Sequence, residues 1–137
     1  GMQLLFEYSV EFGEVAGLGY IPGKVLKLNT APSINVPHVG WNNLRDVAPH
    51  PLLKNIRPHI DFYFVHSYHC VPESSDCVLA TCDYGDGFVA GVAHNNVAGF
   101  QFHPEKSQPS GLKLLNNFAE WNGSYAKKTC HTGIATA

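Results

Sequence analysis

The chain has 137 residues, of which 45% are hydrophobic and 15% are charged, and its formal net charge is −2. This length suits one compact domain with a real hydrophobic core. The charged share lies below the roughly 25% of an average protein and no block of like charges occurs, which argues against disorder, nucleic-acid binding and binding to an anionic membrane.

The apolar runs are short, and the longest lies near residues 62–65. No run could cross a bilayer, and the N-terminus lacks a basic region followed by an apolar stretch. We therefore expect a cytoplasmic protein. The four cysteines form no Cys-x-x-Cys pair, so we expect free thiols, no metal site and no cofactor.

In the first half of the chain, Met2, Leu5 and Phe6 follow helical spacing, which predicts a short helix over residues 2–8. Alternation over residues 24–28 predicts a strand. Residues 38–44 fit either a strand or a structured loop. Residues 52–57, which follow Pro49 and Pro51, are predicted to form one or two helical turns.

Four strands are predicted in the second half. Residues 61–68 are dense in aromatic and β-branched side chains, which is typical of a strand buried on both faces. The runs 77–83, 88–94 and 97–102 follow, and Gly85-Asp86-Gly87 and Asn95-Asn96 lie between them. Such short polar turns favour antiparallel hairpins.

The clearest helix is predicted over residues 110–121, and Gly123 follows as a stop signal. Four apolar side chains recur on one helical face, which predicts a stripe that packs into the core. They are Leu114, Leu115, Phe118 and Trp121. The mixture of strands and helices indicates an α/β or α+β fold.

One short motif suggests a catalytic site. His103 is followed by Pro104 and Glu105 at the end of a strand-like run. Pro104 favours extended geometry at His103, so the carboxylate two residues later can reach the imidazole ring. A carboxylate on one ring nitrogen leaves the other free to accept a proton, as in a nucleophile–His–acid triad. A purely local salt bridge is the alternative interpretation.

The neighbouring sequence resembles class I glutamine amidotransferases, and within them the glutaminase subunits of imidazole glycerol phosphate synthases. The similarity covers about residues 1–122. It rests on the runs GFQFHPEKSQ and GLKLLNNFAEW near the C-terminus and on five earlier runs in the same order. The earlier runs are GMQLLFEYS, GLGYIPGKVLKL, VPHVGWNNL, YFVHSYH and ATCDYGDGFVA.

The resemblance implies roles for particular residues. His103 would be the triad base and Glu105 its orienting acid, while Gln3, Ser67 and Tyr68 would bind glutamine. A partner surface would face the cyclase, a (β/α)-barrel subunit that receives the ammonia released from glutamine. That surface would comprise Val39, Gly40, Trp41, Asn42, Tyr63 and Lys106. From the residues alone, Trp41 could equally be a core residue.

The resemblance also implies an α/β fold, namely a partial class I domain over residues 1–123. We expect an open, mostly parallel sheet remnant with antiparallel β-hairpins and flanking helices, followed by a tail over 124–137. The family's nucleophile elbow reads Gly-x-Cys-x-Gly-Met-Gln, and this chain starts at the last three of those residues. The nucleophilic cysteine would lie two positions before Gly1, so we expect no glutaminase activity from this polypeptide alone.

Two further hypotheses remain open at this point. The chain could be a non-catalytic interaction module derived from the family, or it could belong to another class I amidotransferase. Apolar surface left uncovered by a partial sheet would also favour a homo-oligomer.

Overall fold

The computed structural model describes residues 1–57 and 59–124. The predicted tail over 124–137, apart from Ser124, lies outside the described residues. No helix in the described part of the chain is long and apolar enough to cross a membrane. The secondary structure in chain order is β1 (Phe6–Ser9), β2 (Val15–Ala16), β3 (Ile21–Lys27), β4 (His38–Asn43), β5 (Asp61–His66), β6 (Tyr68–Pro72), β7 (Val78–Cys82), β8 (Phe88–His94), β9 (Val97–Phe100) and α1 (Gln108–Glu120).

Seven of these strands form one sheet in the order β2-β1-β3-β6-β8-β7, and β9 also pairs with β8. Strands β4 and β5 form a separate antiparallel pair. The α/β class and the antiparallel hairpins β7–β8 and β8–β9 are confirmed. Among the described strands, however, only β1 and β3 pair in parallel, so the sheet is less parallel than expected.

The N-terminal segment differs from its predicted helix. Only one 3-10 turn forms, over Met2–Leu5, and the chain then enters β1. Phe6 explains the change, because its side chain is fully buried beside Ile21 and Val25 and its backbone pairs with β3. Tertiary packing therefore overrides a helical spacing that covers less than two turns.

Strand β5 is buried on one face and not on both. Phe62, Phe64 and His66 point into the core, whereas Asp61 and Val65 are exposed. This alternation follows from the two-stranded sheet, which packs a single face against the rest of the domain. The aromatic cluster on that face contains Phe62, Phe64, Phe88 and Phe102.

Helix α1 buries a narrower stripe than its sequence predicts. Leu114 is 3% exposed, but Leu115 and Phe118 are 43% and 60% exposed. Trp121 follows the end of the helix and packs edge-on against His50. The helix lies too close to the preceding turn for any side chain at Gly111, where an added Cβ would be 1.8 Å from the Pro104 carbonyl oxygen. This close approach fixes the helix against the turn that carries His103.

Candidate active site

The predicted base and its acid are in contact. His103 Nδ1 lies 3.0 Å from Glu105 Oε1. Because the carboxylate can only accept, Nδ1 must carry the proton and donate it, and Nε2 is left as a proton acceptor. A short 3-10 turn over Pro104–Lys106 brings the two side chains together.

The charge state of the acid suits this arrangement. A hydrogen bond to its own backbone amide lowers the pKa of Glu105, and the hydrogen bond from His103 acts in the same direction. Glu105 therefore stays ionised at neutral pH. An ionised carboxylate orients the imidazole and stabilises the imidazolium that forms when Nε2 takes a proton.

Backbone contacts fix the position of His103. Its amide donates to the Tyr63 carbonyl at 2.9 Å. Ser107, which is 1% exposed, accepts from the Tyr63 amide through Oγ and donates to the His103 carbonyl at 2.6 Å. The sequence analysis missed Ser107. Its only signal was its place in the run HPEKSQ, three residues after Pro104.

His103 lines a cavity of about 350 Å³. The 3-10 turn at the N-terminus, the ends of β5 and β9 and the start of β6 form its other walls. All three predicted glutamine-binding residues lie in these walls, which supports their grouping into one site. They are Gln3, Ser67 and Tyr68.

Gln3 is held in the cavity wall by two hydrogen bonds. Its Nε2 donates to the Tyr68 carbonyl and to Gln101 Oε1, both at 3.1 Å. Gln101 is a second residue that the sequence analysis did not single out. These bonds use the amide nitrogen of Gln3 and leave its carbonyl oxygen as an acceptor within the wall.

The predicted partner surface divides into exposed and half-buried residues. Val39, Trp41 and Lys106 are exposed, whereas Gly40, Asn42 and Tyr63 are half-buried. Trp41 is 50% exposed and packs edge-on against Tyr63, with ring centroids 5.7 Å apart. Trp41 is therefore not a core residue. Both lie on the β4–β5 pair, in direct register with each other.

The cysteines of the described region do not resemble an activated nucleophile. Cys70 and Cys82 are free but 1% exposed, and burial raises the pKa of each thiol to about 12. A thiol attacks as its thiolate, which such burial suppresses. Cys77 is fully buried and disulfide-bonded, so the expectation of free thiols is wrong for this residue. Cys130 lies outside the described residues.

No group of three or more His, Cys, Asp or Glu side chains is placed to hold a metal ion in residues 1–57 and 59–124. His66 and His69, the one His-x-x-His pair, lie on different strands. His66 ends β5, and His69 lies in β6.

A comparison against protein families agrees with the α/β fold. The family described as glutamine amidotransferase class-I matches residues 1–121, and the chain belongs to that family.

More specific similarity is found among individual proteins named imidazole glycerol phosphate synthase subunit HisH. The protein from Azospirillum brasilense is 48% identical over 122 residues, which cover 88% of this chain and 64% of that protein. The protein from Desulfitobacterium hafniense is 47% identical over 131 residues, covering 96% and 61% respectively. The protein from Aquifex aeolicus is 48% identical over 118 residues, covering 86% and 56%. The chain therefore spans about 60% of the length of these relatives.

Proposed function

We propose that this chain carries the proton-shuttle part of a glutaminase site, with His103 as base and Glu105 as orienting acid. The reaction would convert glutamine to glutamate and pass ammonia to the cyclase subunit of an imidazole glycerol phosphate synthase, in histidine biosynthesis. The observation that carries the proposal is the 3.0 Å contact of His103 with Glu105 on a cavity that Gln3, Ser67 and Tyr68 also line. The names of the relatives support the choice of synthase.

The proposed chemistry gives His103 two proton transfers. A cysteine thiolate attacks the side-chain carbonyl carbon of glutamine, and the imidazolium of His103 gives its proton to the departing nitrogen, which releases ammonia and leaves a thioester. Nε2 then removes a proton from water, whose oxygen attacks the thioester. Glutamate is released, and the thiolate is restored with the proton back on His103.

The nucleophile would come from residues beyond the printed sequence. Buried thiols with pKa values of about 12 at Cys70 and Cys82 cannot supply a thiolate near neutral pH. Removing a triad nucleophile costs about a millionfold in rate. We therefore propose that the 137-residue polypeptide alone releases no glutamate from glutamine.

The exposed residues Val39, Trp41 and Lys106 would form the centre of the cyclase-facing surface. Trp41 is a large aromatic side chain that is half exposed and packs against Tyr63. Large aromatic side chains of this kind often contribute most of the binding energy at protein interfaces. Gly40 and Asn42 would complete this surface from the same strand. Cytoplasmic location follows from this function and remains a prediction.

A non-catalytic interaction module is the second candidate. It is favoured by the same exposed Trp41 together with the inert thiols, since a binding surface needs no nucleophile. The two candidates make different predictions when a nucleophile is supplied.

The deciding experiment mixes this chain with a separately produced polypeptide that carries the family's Gly-x-Cys-x-Gly elbow. Glutamate release is then measured for each polypeptide alone and for the mixture. Activity in the mixture alone supports the glutaminase proposal. If the two polypeptides form a stable complex that releases no glutamate, the interaction module is favoured instead.

A further inference from the structure

The proposed chemistry does not use two buried histidines, of which His66 lines the cavity and His38 lies behind it. His38 starts β4, His66 ends β5, and the two residues are direct partners in the strand register. They are 3% and 7% exposed. His38 Nδ1 lies 2.9 Å from His66 Nε2, and His66 Nδ1 lies 2.9 Å from the Tyr68 carbonyl oxygen.

The chemistry of these contacts fixes the tautomer of each ring. A carbonyl oxygen only accepts, so Nδ1 of His66 must carry a proton. In a neutral ring Nε2 of His66 is then an acceptor, and Nδ1 of His38 must donate to it. The Nε2 atom of His38 is left as an acceptor, and the Asn42 side-chain nitrogen lies 3.5 Å from it.

Each hydrogen bond in this series is therefore donated toward the cavity, from His38 on β4 to His66 and from His66 to the Tyr68 carbonyl. The Tyr68 carbonyl receives both His66 Nδ1 and Gln3 Nε2, which fills its two lone pairs. Ser67 lies between His66 and Tyr68 at the bend from β5 to β6. The hydrogen bond from the His66 ring to the Tyr68 carbonyl therefore connects the two sides of that bend, which forms part of the cavity wall.

The environment keeps both rings neutral. Burial is the main cause that lowers the pKa of His38 and of His66 to about 4. The hydrogen bond to the Tyr68 carbonyl raises the pKa of His66 but is outweighed, and neighbouring histidines lower the pKa of each ring further. His66 affects His38, while His69 from β6 and His103 affect His66. Phe64 and Tyr84 stack on the ring of His38.

We propose that His38 and His66 are positioning residues whose hydrogen-bond relay, from β4 through both rings to the Tyr68 carbonyl, holds the Ser67–Tyr68 bend and Gln3 in the geometry that binds glutamine. This inference rests on the proposed glutaminase function. It adds two residues that act through Ser67, Tyr68 and Gln3. The strand that starts the relay also carries Val39 and Trp41, so the relay joins the proposed cyclase surface to the substrate cavity.

The first test reads the tautomers directly in the 137-residue chain, with no ligand and no second polypeptide. Nitrogen-15 NMR of labelled histidine distinguishes a protonated from an unprotonated ring nitrogen. At pH 7 the relay requires Nδ1–H with a bare Nε2 in both His38 and His66. A proton on Nε2 of either ring would overturn the proposal.

The second test separates the relay from simple packing. His38→Phe keeps a stacking ring but has no donor, whereas His38→Asn keeps a donor near the place of Nδ1 but loses the ring. In the mixture that releases glutamate, we expect His38→Phe to raise KM for glutamine about threefold to tenfold, the net worth of one hydrogen bond, with kcat changed less than about twofold. His38→Asn should restore KM to within about twofold of the parent.

His94→Phe, at the far end of β8, is the matched control and should leave KM unchanged. If His38→Asn raises KM more than His38→Phe does, the ring matters for packing and the relay is wrong. The NMR test stands without enzyme activity. A stable complex of the two polypeptides that releases no glutamate would therefore refute the proposed function, while the ring nitrogens still decide the relay.

Discussion

The backbone amide of His103 donates to the carbonyl oxygen of Tyr63 at 2.9 Å, and this bond ties the proposed base to strand β5. Tyr63 lies on the half-exposed face of β5, where its ring contacts Trp41. The strand ends at His66, which lines the cavity. One strand thus connects the base, the substrate cavity and the proposed cyclase surface. A disturbance of β5 should affect all three.

Ser107→Ala tests how much the link between β5 and the turn that carries His103 contributes to the stability of the fold. The hydroxyl accepts from the Tyr63 amide and donates to the His103 carbonyl, and Ser107 is 1% exposed. Its loss leaves the Tyr63 amide without this partner, while the His103 carbonyl still accepts from the Lys106 amide at 3.0 Å. We therefore expect the free energy of unfolding to fall by about 1–3 kcal/mol. Urea denaturation measures the change. Ser110→Ala, on the first turn of α1, is the matched control and should stay within about 0.5 kcal/mol of the parent.

Gly111→Ala tests the close approach of α1 to the turn that carries His103. The added methyl group would meet the Pro104 carbonyl oxygen at 1.8 Å, so either the helix or the turn must move. We expect a loss of about 1–3 kcal/mol or more in unfolding free energy, despite the better helix propensity of alanine. Asn116→Ala on the exposed side of the same helix should be neutral or slightly stabilising. Equal stabilities for the two variants would contradict the packing described here.

Acid should destabilise the fold through the buried histidines. Because the pKa of His38 and of His66 is about 4 in the folded state and about 6.5 when unfolded, the unfolded state binds more protons between these values. The free energy of unfolding is therefore fully present above pH 6.5 and falls as the pH drops toward 4, by up to about 1.4 kcal/mol per pH unit for each ring. Burial lowers the pKa of His69 as well, which acts with the same sign.

Urea midpoints measured from pH 7.5 to pH 4.5 test this dependence. His38→Phe removes one of the titrating rings and should give a shallower slope than the parent chain. A midpoint that stays constant down to pH 5 in the parent would show that these rings are not held neutral.

Self-association of the isolated chain stays a prediction. Leu112 and Phe118 are 61% and 60% exposed on α1, and Phe12 is exposed in the middle of the β1–β2 connection. Exposed apolar side chains of this size favour association. Light scattering over a range of concentrations should show a rising mean mass, and Phe118→Glu should lower it at equal concentration. A constant monomer mass up to millimolar concentration would refute the prediction.

The local signals in the sequence predicted the hairpins and the His103–Glu105 contact well. The β8–β9 hairpin forms where Asn95-Asn96 indicated, and Asn95 has a positive φ of 55° that asparagine tolerates. The contact of His103 with Glu105 needs only an extended residue, a proline and a short side-chain reach. Each of these features is decided within a few residues of chain.

The features that the sequence did not predict depend on packing between residues far apart in the chain. The pairing of His38 with His66 joins residues that are 28 positions apart in the chain, and the sequence analysis assigned neither histidine a role. Ser107 acquires its role only when β5 lies beside the turn that follows β9. The helical spacing of Leu115 and Phe118 indicated one apolar face, but the described domain places only Leu114 of that face in the core.

The central claim is that His103, oriented by Glu105, moves the proton in glutamine hydrolysis. The most direct test is kcat for glutamate release by the mixture described above, with His103→Ala or Glu105→Gln in this chain and His94→Ala as the control. We predict that His103→Ala lowers kcat at least about a thousandfold and Glu105→Gln about tenfold to a thousandfold, with the control unchanged. A His103→Ala mixture that keeps more than half of the parent kcat would contradict the account.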